Sequence, residues 1–450
     1  MQFITLFDYV LLPFYLAIIY AIAFRIRNKK YPKTHPLHKY YIPGLTVKVI
    51  GAIFVSLIYQ YYYGGGDTSE YFRHALVINS SADDSIAKWF GLITHTADWN
   101  DPAYYDYISQ MEWYEDPSSY FVCAFTAFIN VFTFNSYLPT AVIFAFLSFT
   151  GIWALFRTFA EANPKLTKPI SVAVLFIPSL FVWGSGIFKD TICMFSLGWF
   201  TYCTFRMLVQ RDFSSKNIIL AIFSFIFIAK VKIYILLGFS PALFTWILFS
   251  YSQKIKTPAV RAFVKGLFII IAVGSFAFFL QKFGNLMGKY SLEKIAETSA
   301  VTRDWIGYMS DVDEGSGYDL GDFSPTIGGM LSKMPAAVNV TLFRPYIWET
   351  RKIIVFLTAI EALLFLFATL KILFVIGIKK VWQTIGGDPT IQFCLIFSII
   401  FAFAVGISSY NFGALSRYKI PCIPFYAMAL ILIYYKNRPL NKPLISFIGI

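Results

Sequence analysis

Charged residues are scarce in this chain: 14% of its 450 residues, against roughly 25% in an ordinary soluble domain. A soluble fold with so few charges could not cover its apolar side chains, so a water-soluble globule is excluded. Cysteine is also sparse. Cys123, Cys193, Cys203, Cys394 and Cys422 form no C-x-x-C pair and lie in or beside apolar runs, which argues against a disulfide framework or a zinc site. His74 and His95 stand alone, without metal-ligand spacing. H-E-x-x-H, G-x-S-x-G and P-loop motifs are missing, so no cofactor is expected, although a divalent metal stays open. No internal repeat is evident, which gives no support to an inverted-repeat transporter. The first apolar stretch lacks a basic n-region and a small-residue cleavage site, and is expected to be a retained span.

What is abundant is hydrophobicity. Apolar residues make up 57% of the chain, and phenylalanine alone occurs 49 times. The net charge of +13 does not imply nucleic acid, because the basic residues cluster between apolar segments, as orientation in a membrane requires. Runs long enough to cross a bilayer predict an all-α polytopic membrane protein with about eleven spans: Tyr9–Phe24, Gly44–Tyr63, Leu138–Phe156, Pro169–Phe188, Thr191–Leu208, Ile218–Ala229, Ile233–Tyr251, Phe263–Leu280, Ile353–Ile376, Ile391–Ser409 and Ile420–Tyr435. The short run Tyr120–Phe134 is expected to be interfacial or re-entrant. The first connection holds Arg25, Arg27, Lys29, Lys30, Lys33 and Lys39, which sets it inside, the N-terminus outside and the C-terminus in the cytoplasm. The chain reads as one membrane domain, 1–450, with long outer loops at 64–137 and 281–352. Short interfacial helices are expected in the first, which is rich in acidic residues, Trp and Tyr.

Five patches on the expected outer side carry candidate chemistry. At Gly64-Gly65-Gly66-Asp67, three glycines permit a tight turn, and Asp67 sits at the mouth of a span, either as a general base or as the N-cap of the next helix. Glu70, Tyr71, Arg73 and His74 follow. The segment Trp183-Gly184-Ser185-Gly186 leads into Lys189-Asp190, which form either a local ion pair or part of a site. Lys230 and Lys232 lie between two apolar runs with almost no loop, where an anionic ligand would explain them. Arg344 precedes Trp348 and Glu349, as a site residue, an interfacial anchor or a partner of Glu349. Asn411, Arg417, Tyr418 and Lys419 lie before the last span. Together these describe one carboxylate, Asp67, and five cations, Lys189, Lys230, Lys232, Arg344 and Arg417, suited to a lipid phosphate headgroup.

At these residues the sequence resembles the GT-C class of polytopic glycosyltransferases and the related EpsG-like and Wzy-type polysaccharide polymerases. Gly65, Asp67 and Tyr71 match an outer-loop G-x-D-x-x-x-Y pattern. Pro178-Ser179, Trp183-Gly184-Ser185-Gly186 and Lys189-Asp190 resemble a segment of bacterial members, and Arg417-Tyr418 before Pro421 and Pro424 resembles a late R-Y-x-x-P segment. An extra N-terminal span, and the lack of the paired acidic signature of the protein-mannosyl branch, depart from the pattern. The resemblance implies a bacterial inner-membrane enzyme that uses a polyprenyl-phosphate-linked sugar for cell-surface glycan synthesis. Asp67 would be the base and the cations would hold the lipid phosphate. A flippase for lipid-linked glycan is the reading of another class; it would want charges midway along helices and discontinuous helices.

Overall fold

The computed structural model describes residues 2–252, 316–324 and 326–446, together with scattered positions between 255 and 308. Among these residues the chain is helical, with one isolated β-bridge, Gly317 to Asn411. Among the described residues, seven helices are long and apolar enough to cross a membrane, or eight if the bent pair Phe412–Tyr418 and Ile423–Asn437, at 68°, is one span. The chain is therefore an all-α, multi-pass membrane protein. Most of the expected span Phe263–Leu280 and much of the expected loop 281–352 lie outside the described residues.

The chain divides into two compact units. The first comprises 1–167, 175–207 and 212–233; the second comprises 168–174, 208–211 and 234–450. The first unit begins with α1 (Leu6–Lys30) and α2 (His38–Tyr61). Four shorter helices follow: α3 (Asp67–Asp84), α4 (Ile86–Ile93), α5 (Pro102–Ile108) and α6 (Pro117–Phe132). Then come α7 (Tyr137–Ala162), α8 (Thr167–Leu175), α9 (Pro178–Trp183), α10 (Lys189–Thr204) and α11 (Ser215–Ser252); of these, residues 168–174 of α8 and the part of α11 from residue 234 onward belong to the second unit. Helix α6 covers the run expected to be interfacial. Its 16 residues rise about 24 Å, short of the roughly 30 Å hydrocarbon core, and it packs on α3 and α4.

Among the described spans, helix α7 is the most enclosed, with 78% of its most apolar stretch buried, whereas α1 has 17%. It packs closely on α10 because glycines face each other. A Cβ on Gly151 would lie 2.1 Å from the Phe195 carbonyl oxygen, and one on Gly198 would lie 1.9 Å from that of Gly151. Such small residues let helices approach where lipid supplies no hydrophobic drive. Asp8 ties α1 to the start of α7: its carboxylate accepts from the Leu138 amide at 2.9 Å and from the Thr5 amide at 2.8 Å, so one side chain serves two helix N-termini.

One expected span differs from the sequence reading. Pro169–Phe188 is divided into α8 and α9, with Phe176 and Ile177 outside both. Proline disfavours helical backbone at the residue before it, and Pro178 opens α9 with the preceding Ile177 extended. Ile218–Ala229 and Ile233–Tyr251 both fall within α11, whose 38 residues are interrupted at Lys232 (φ −146°, ψ 76°). A straight helix of that length would measure about 57 Å, nearly twice the hydrocarbon core, so a break is expected on length alone.

The second unit contains α12 (Ile327–Ser332), α13 (Met334–Phe343), α14 (Ile353–Ile376), α15 (Ile378–Gly387), α16 (Pro389–Ser409), α17 (Phe412–Tyr418) and α18 (Ile423–Asn437). Its core is aromatic. Phe239 lies 5.4 Å from Phe393 and 5.2 Å from Phe397, and Trp246 stacks on Phe393 at 4.3 Å. Offset and edge-on rings of this kind fill space with well-defined geometry.

Candidate functional site

In the first unit the glycine turn forms as the sequence suggests. Gly64, Gly65 and Gly66 have φ of 70°, 145° and 134°, conformations that side-chain-bearing residues rarely adopt. Gly66 is the N-cap of α3, and Asp67 is the first residue inside the helix, so the alternative that made Asp67 itself the cap is corrected. There the helix N-terminus carries partial positive charge. Asp67 is half-buried and lies within electrostatic reach of Lys189.

Lys189 opens α10. Its ammonium donates to Ser118 Oγ at 2.7 Å and pairs with Asp116 at 3.3 Å. Asp116 also caps α6, accepting from the Ser118 and Ser119 amides. Burial alone would raise its carboxyl, but the hydrogen bond from Ser119, the Lys189 charge and the hydrogen bond from Ser118 outweigh burial and hold it at about 2. The neighbouring Asp190 is fully buried and pairs with Lys232 at 2.5 Å. Lys189 and Asp190, considered in sequence as partners of each other, thus each bind a carboxylate or an ammonium from elsewhere in the chain. Lys230 is exposed, and Trp183 is buried as the last residue of α9.

Glu70, Tyr71, Arg73 and His74 knit α3 to the segment that follows α5. Arg73 pairs with Glu70 at 2.7 Å, donates to the Gln110 carbonyl at 3.0 Å and meets His74 Nε2 at 3.0 Å. Tyr71 packs on Trp113 with centroids 4.7 Å apart. His74 is buried, with Cys123 Sγ 3.7 Å from its Nδ1. Burial, helped by the Arg73 charge and opposed by Glu70, lowers it to about 4. It is therefore neutral near pH 7.

One buried cation escaped the sequence reading. Lys48, midway along α2 and 1% exposed, donates to Ser148 Oγ at 3.1 Å, the Leu180 carbonyl at 3.0 Å and the Gly184 carbonyl at 2.7 Å. It caps the C-terminal end of α9, where a helix presents unpaired carbonyls and partial negative charge. A lone lysine inside an apolar run was the signal available in the sequence. Asp116 was legible as a helix cap before Pro117, but nothing local tied it to Lys189.

In the second unit Arg344 pairs with Glu349: Nε lies 3.1 Å from both carboxylate oxygens, and Nη2 bonds one of them. This is the local partner that the sequence analysis considered. The Arg344 carboxylate partner stays ionised: against burial, the guanidinium and the Tyr346 amide lower the Glu349 carboxyl. Arg344 also lies over the rings of Phe412 (5.4 Å), Tyr346 (5.7 Å) and Tyr318 (6.0 Å). Asn411 caps α17 through the Gly413 and Ala414 amides. Arg417, on that helix, lies 5.6 Å from the ring of Tyr418. Trp348 is 82% exposed and stacks on Tyr346. Buried Lys419 lies 3.5 Å from the Arg344 carbonyl and within electrostatic reach of Glu361, a buried acid inside α14 that the sequence reading passed over.

Of the five expected cations, Lys189, Lys232 and Arg344 are held in carboxylate pairs. The first unit brings Asp67, Lys189, Asp190 and Lys232 into one neighbourhood, and the second brings Arg344 beside the helix that carries Arg417. Among the described residues no group of three or more His, Cys, Asp or Glu side chains is placed to hold a metal ion. No family model, curated protein or solved structure matches the chain.

Proposed function

We propose that the chain is an inverting membrane glycosyltransferase of GT-C type that moves a sugar from a polyprenyl-phosphate donor at the outer face of a bacterial inner membrane. The proposal includes eleven spans, an outside N-terminus and a role in cell-surface glycan synthesis. Joining whole lipid-linked repeats, as Wzy-type and EpsG-like polymerases do, is the same chemistry with a larger acceptor. Asp67 takes the proton from the acceptor hydroxyl, and the oxygen attacks the anomeric carbon. The bond to the lipid phosphate breaks with its electron pair, and cations stabilise the leaving anion.

The observation that carries the reading is the placement of Asp67. It is a half-exposed carboxylate on a triple-glycine turn at the end of a span, within electrostatic reach of Lys189. An ammonium has three donors, and Ser118 and Asp116 take two of those of Lys189, which leaves one for a phosphate oxygen. The test is single-turnover release of polyprenyl phosphate from a radiolabelled lipid-linked sugar by reconstituted protein. Asp67→Asn is expected to lower the rate 10²–10⁴-fold without lowering the amount of folded protein in the membrane. Release at the wild-type rate removes Asp67 as the base.

A second reading, transport of a lipid-linked glycan, is favoured by the buried Lys48 midway along α2, the divided helices α8 and α9, and the break at Lys232. It is separated by the same assay. A flippase moves the labelled lipid across the vesicle without releasing lipid phosphate.

A further inference from the structure

Helix α15 follows the span α14 directly, across a single glycine, Gly377, with φ of 86°. At 100° per residue, Ile378, Val381, Trp382 and Ile385 fall on one face of α15, and Lys379, Lys380, Gln383 and Thr384 fall on the other. Val381 is 6% exposed and packs inward, yet Ile378 and Trp382, one turn apart, are 65% and 67% exposed. The apolar stripe is therefore wider than the protein covers. Phe374, in the last turn of α14, is 83% exposed. A helix with a broad apolar face, an exposed tryptophan and lysines on its polar side lies in the plane of a membrane interface.

The helix is fixed there rather than free to swing. Asn437, at the end of α18, donates to Thr384 Oγ1 at 2.9 Å, and Arg438 donates to the Val375 carbonyl at 2.7 Å. Lys371 donates to the Pro443 carbonyl at 3.2 Å. Asp388, the acid that follows α15, is taken by Lys436. Lys379 and Lys380 are exposed and make no ion pair among the described residues. The patch thus combines an apolar surface that needs acyl chains with uncompensated cations at headgroup depth.

We propose that this end of the second unit binds an acidic phospholipid. Trp382 and Ile378 would lie among the upper acyl carbons while Lys379 and Lys380 hold the phosphate. Charge complementarity selects the partner: a zwitterionic lipid brings its own cation to the same place, and an acidic one does not.

The experiment reads Trp382 in the full-length protein reconstituted into vesicles. Subtracting the fluorescence of Trp382→Phe isolates its signal, and brominated phosphatidylglycerol or brominated phosphatidylcholine quenches it on contact. Wild-type protein is expected to show quenching by both lipids, with phosphatidylglycerol preferred. In the Lys379→Gln/Lys380→Gln background the preference should fall by roughly fivefold per lysine, about 25-fold together, while quenching by phosphatidylcholine persists. The proposal is overturned by a Trp382 signal that neither lipid quenches. Equal quenching by both lipids in the wild type, or an unchanged preference in the double variant, overturns it too. Displacement of brominated phosphatidylglycerol by millimolar inorganic phosphate would assign the lysines to the free anion instead.

Discussion

The pairs around Asp190 in the first unit and the Arg344–Glu349 pair in the second are built on different scales, although each unit also holds the other kind, Arg73–Glu70 in the first and Lys436–Asp388 in the second. In the first unit Lys189 binds Asp116, 73 residues away, and Lys232 binds Asp190, 42 residues away. In the second unit Arg344 binds Glu349, only five residues on. A pair between distant segments ties one helix to another, so its loss falls on tertiary packing. A pair within one turn of chain shapes a loop, and the same guanidinium contact survives much rearrangement around it. Burial sharpens the difference. The Lys232 and Asp190 side chains are 6% and 0% exposed, whereas Arg344 and Glu349 are each 19% exposed. Removing one partner of a buried pair strands the other charge, which costs far more than the pair itself contributes.

Substitutions should expose this contrast. The largest effect is expected from Lys232→Met alone, which leaves Asp190 buried opposite an apolar side chain at a cost of about 3–5 kcal/mol. The double variant Lys232→Met/Asp190→Leu should recover most of that, because no charge remains to be solvated. Thermal melting in detergent measures both, and a double variant no more stable than the single would show that the pair is not the coupled unit described. Lys48→Met comes next. Ser148 still donates to the Gly184 carbonyl at 2.7 Å, but the Leu180 carbonyl loses the lysine, for about 1–3 kcal/mol. A melting temperature unchanged by this substitution would mean that α9 does not depend on its cap.

Glu349→Gln in the second unit should cost about 1 kcal/mol or less, near the range of part-exposed pairs. A loss as large as that of Lys232→Met would erase the distinction between the two kinds of pair. The remaining effect is one of pH. His74 has its folded value lowered to about 4, below the ordinary 6.5, so the unfolded chain binds the proton more readily between those values. Stability contributed by neutral His74 is present above about pH 6.5 and is lost as pH falls toward 4. The melting temperature of the wild type should drop more between pH 7 and pH 4.5 than that of His74→Gln, and parallel profiles would reject the assignment. Asp116, held at about 2, keeps its contribution through this window, since its loss begins only below the ordinary carboxylate range.

Legibility follows the same division. Glu349 stood five residues from Arg344 and was visible as its partner. The glycine turn before Asp67 was visible because only glycine adopts those conformations readily. The aromatic and basic character of Ile378–Gly387 was present in the sequence too, yet its role as a surface helix was hidden by the strong apolar runs on either side.

The sequence by itself determined that the chain spans a membrane, because a 57% apolar composition has no other solvent, and it located most of the spans, because hydropathy is a sum over neighbours along the chain. The tertiary structure alone decided which carboxylate meets which lysine, that Lys48 caps α9, and that α7 and α10 close on Gly151 and Gly198. Those outcomes depend on which helices become neighbours in space. An apolar run reads the same whether it is continuous or, as at Phe176–Ile177, interrupted. The short helix that follows ends in carbonyls without helical partners, and Lys48, arriving from α2, satisfies those of Leu180 and Gly184.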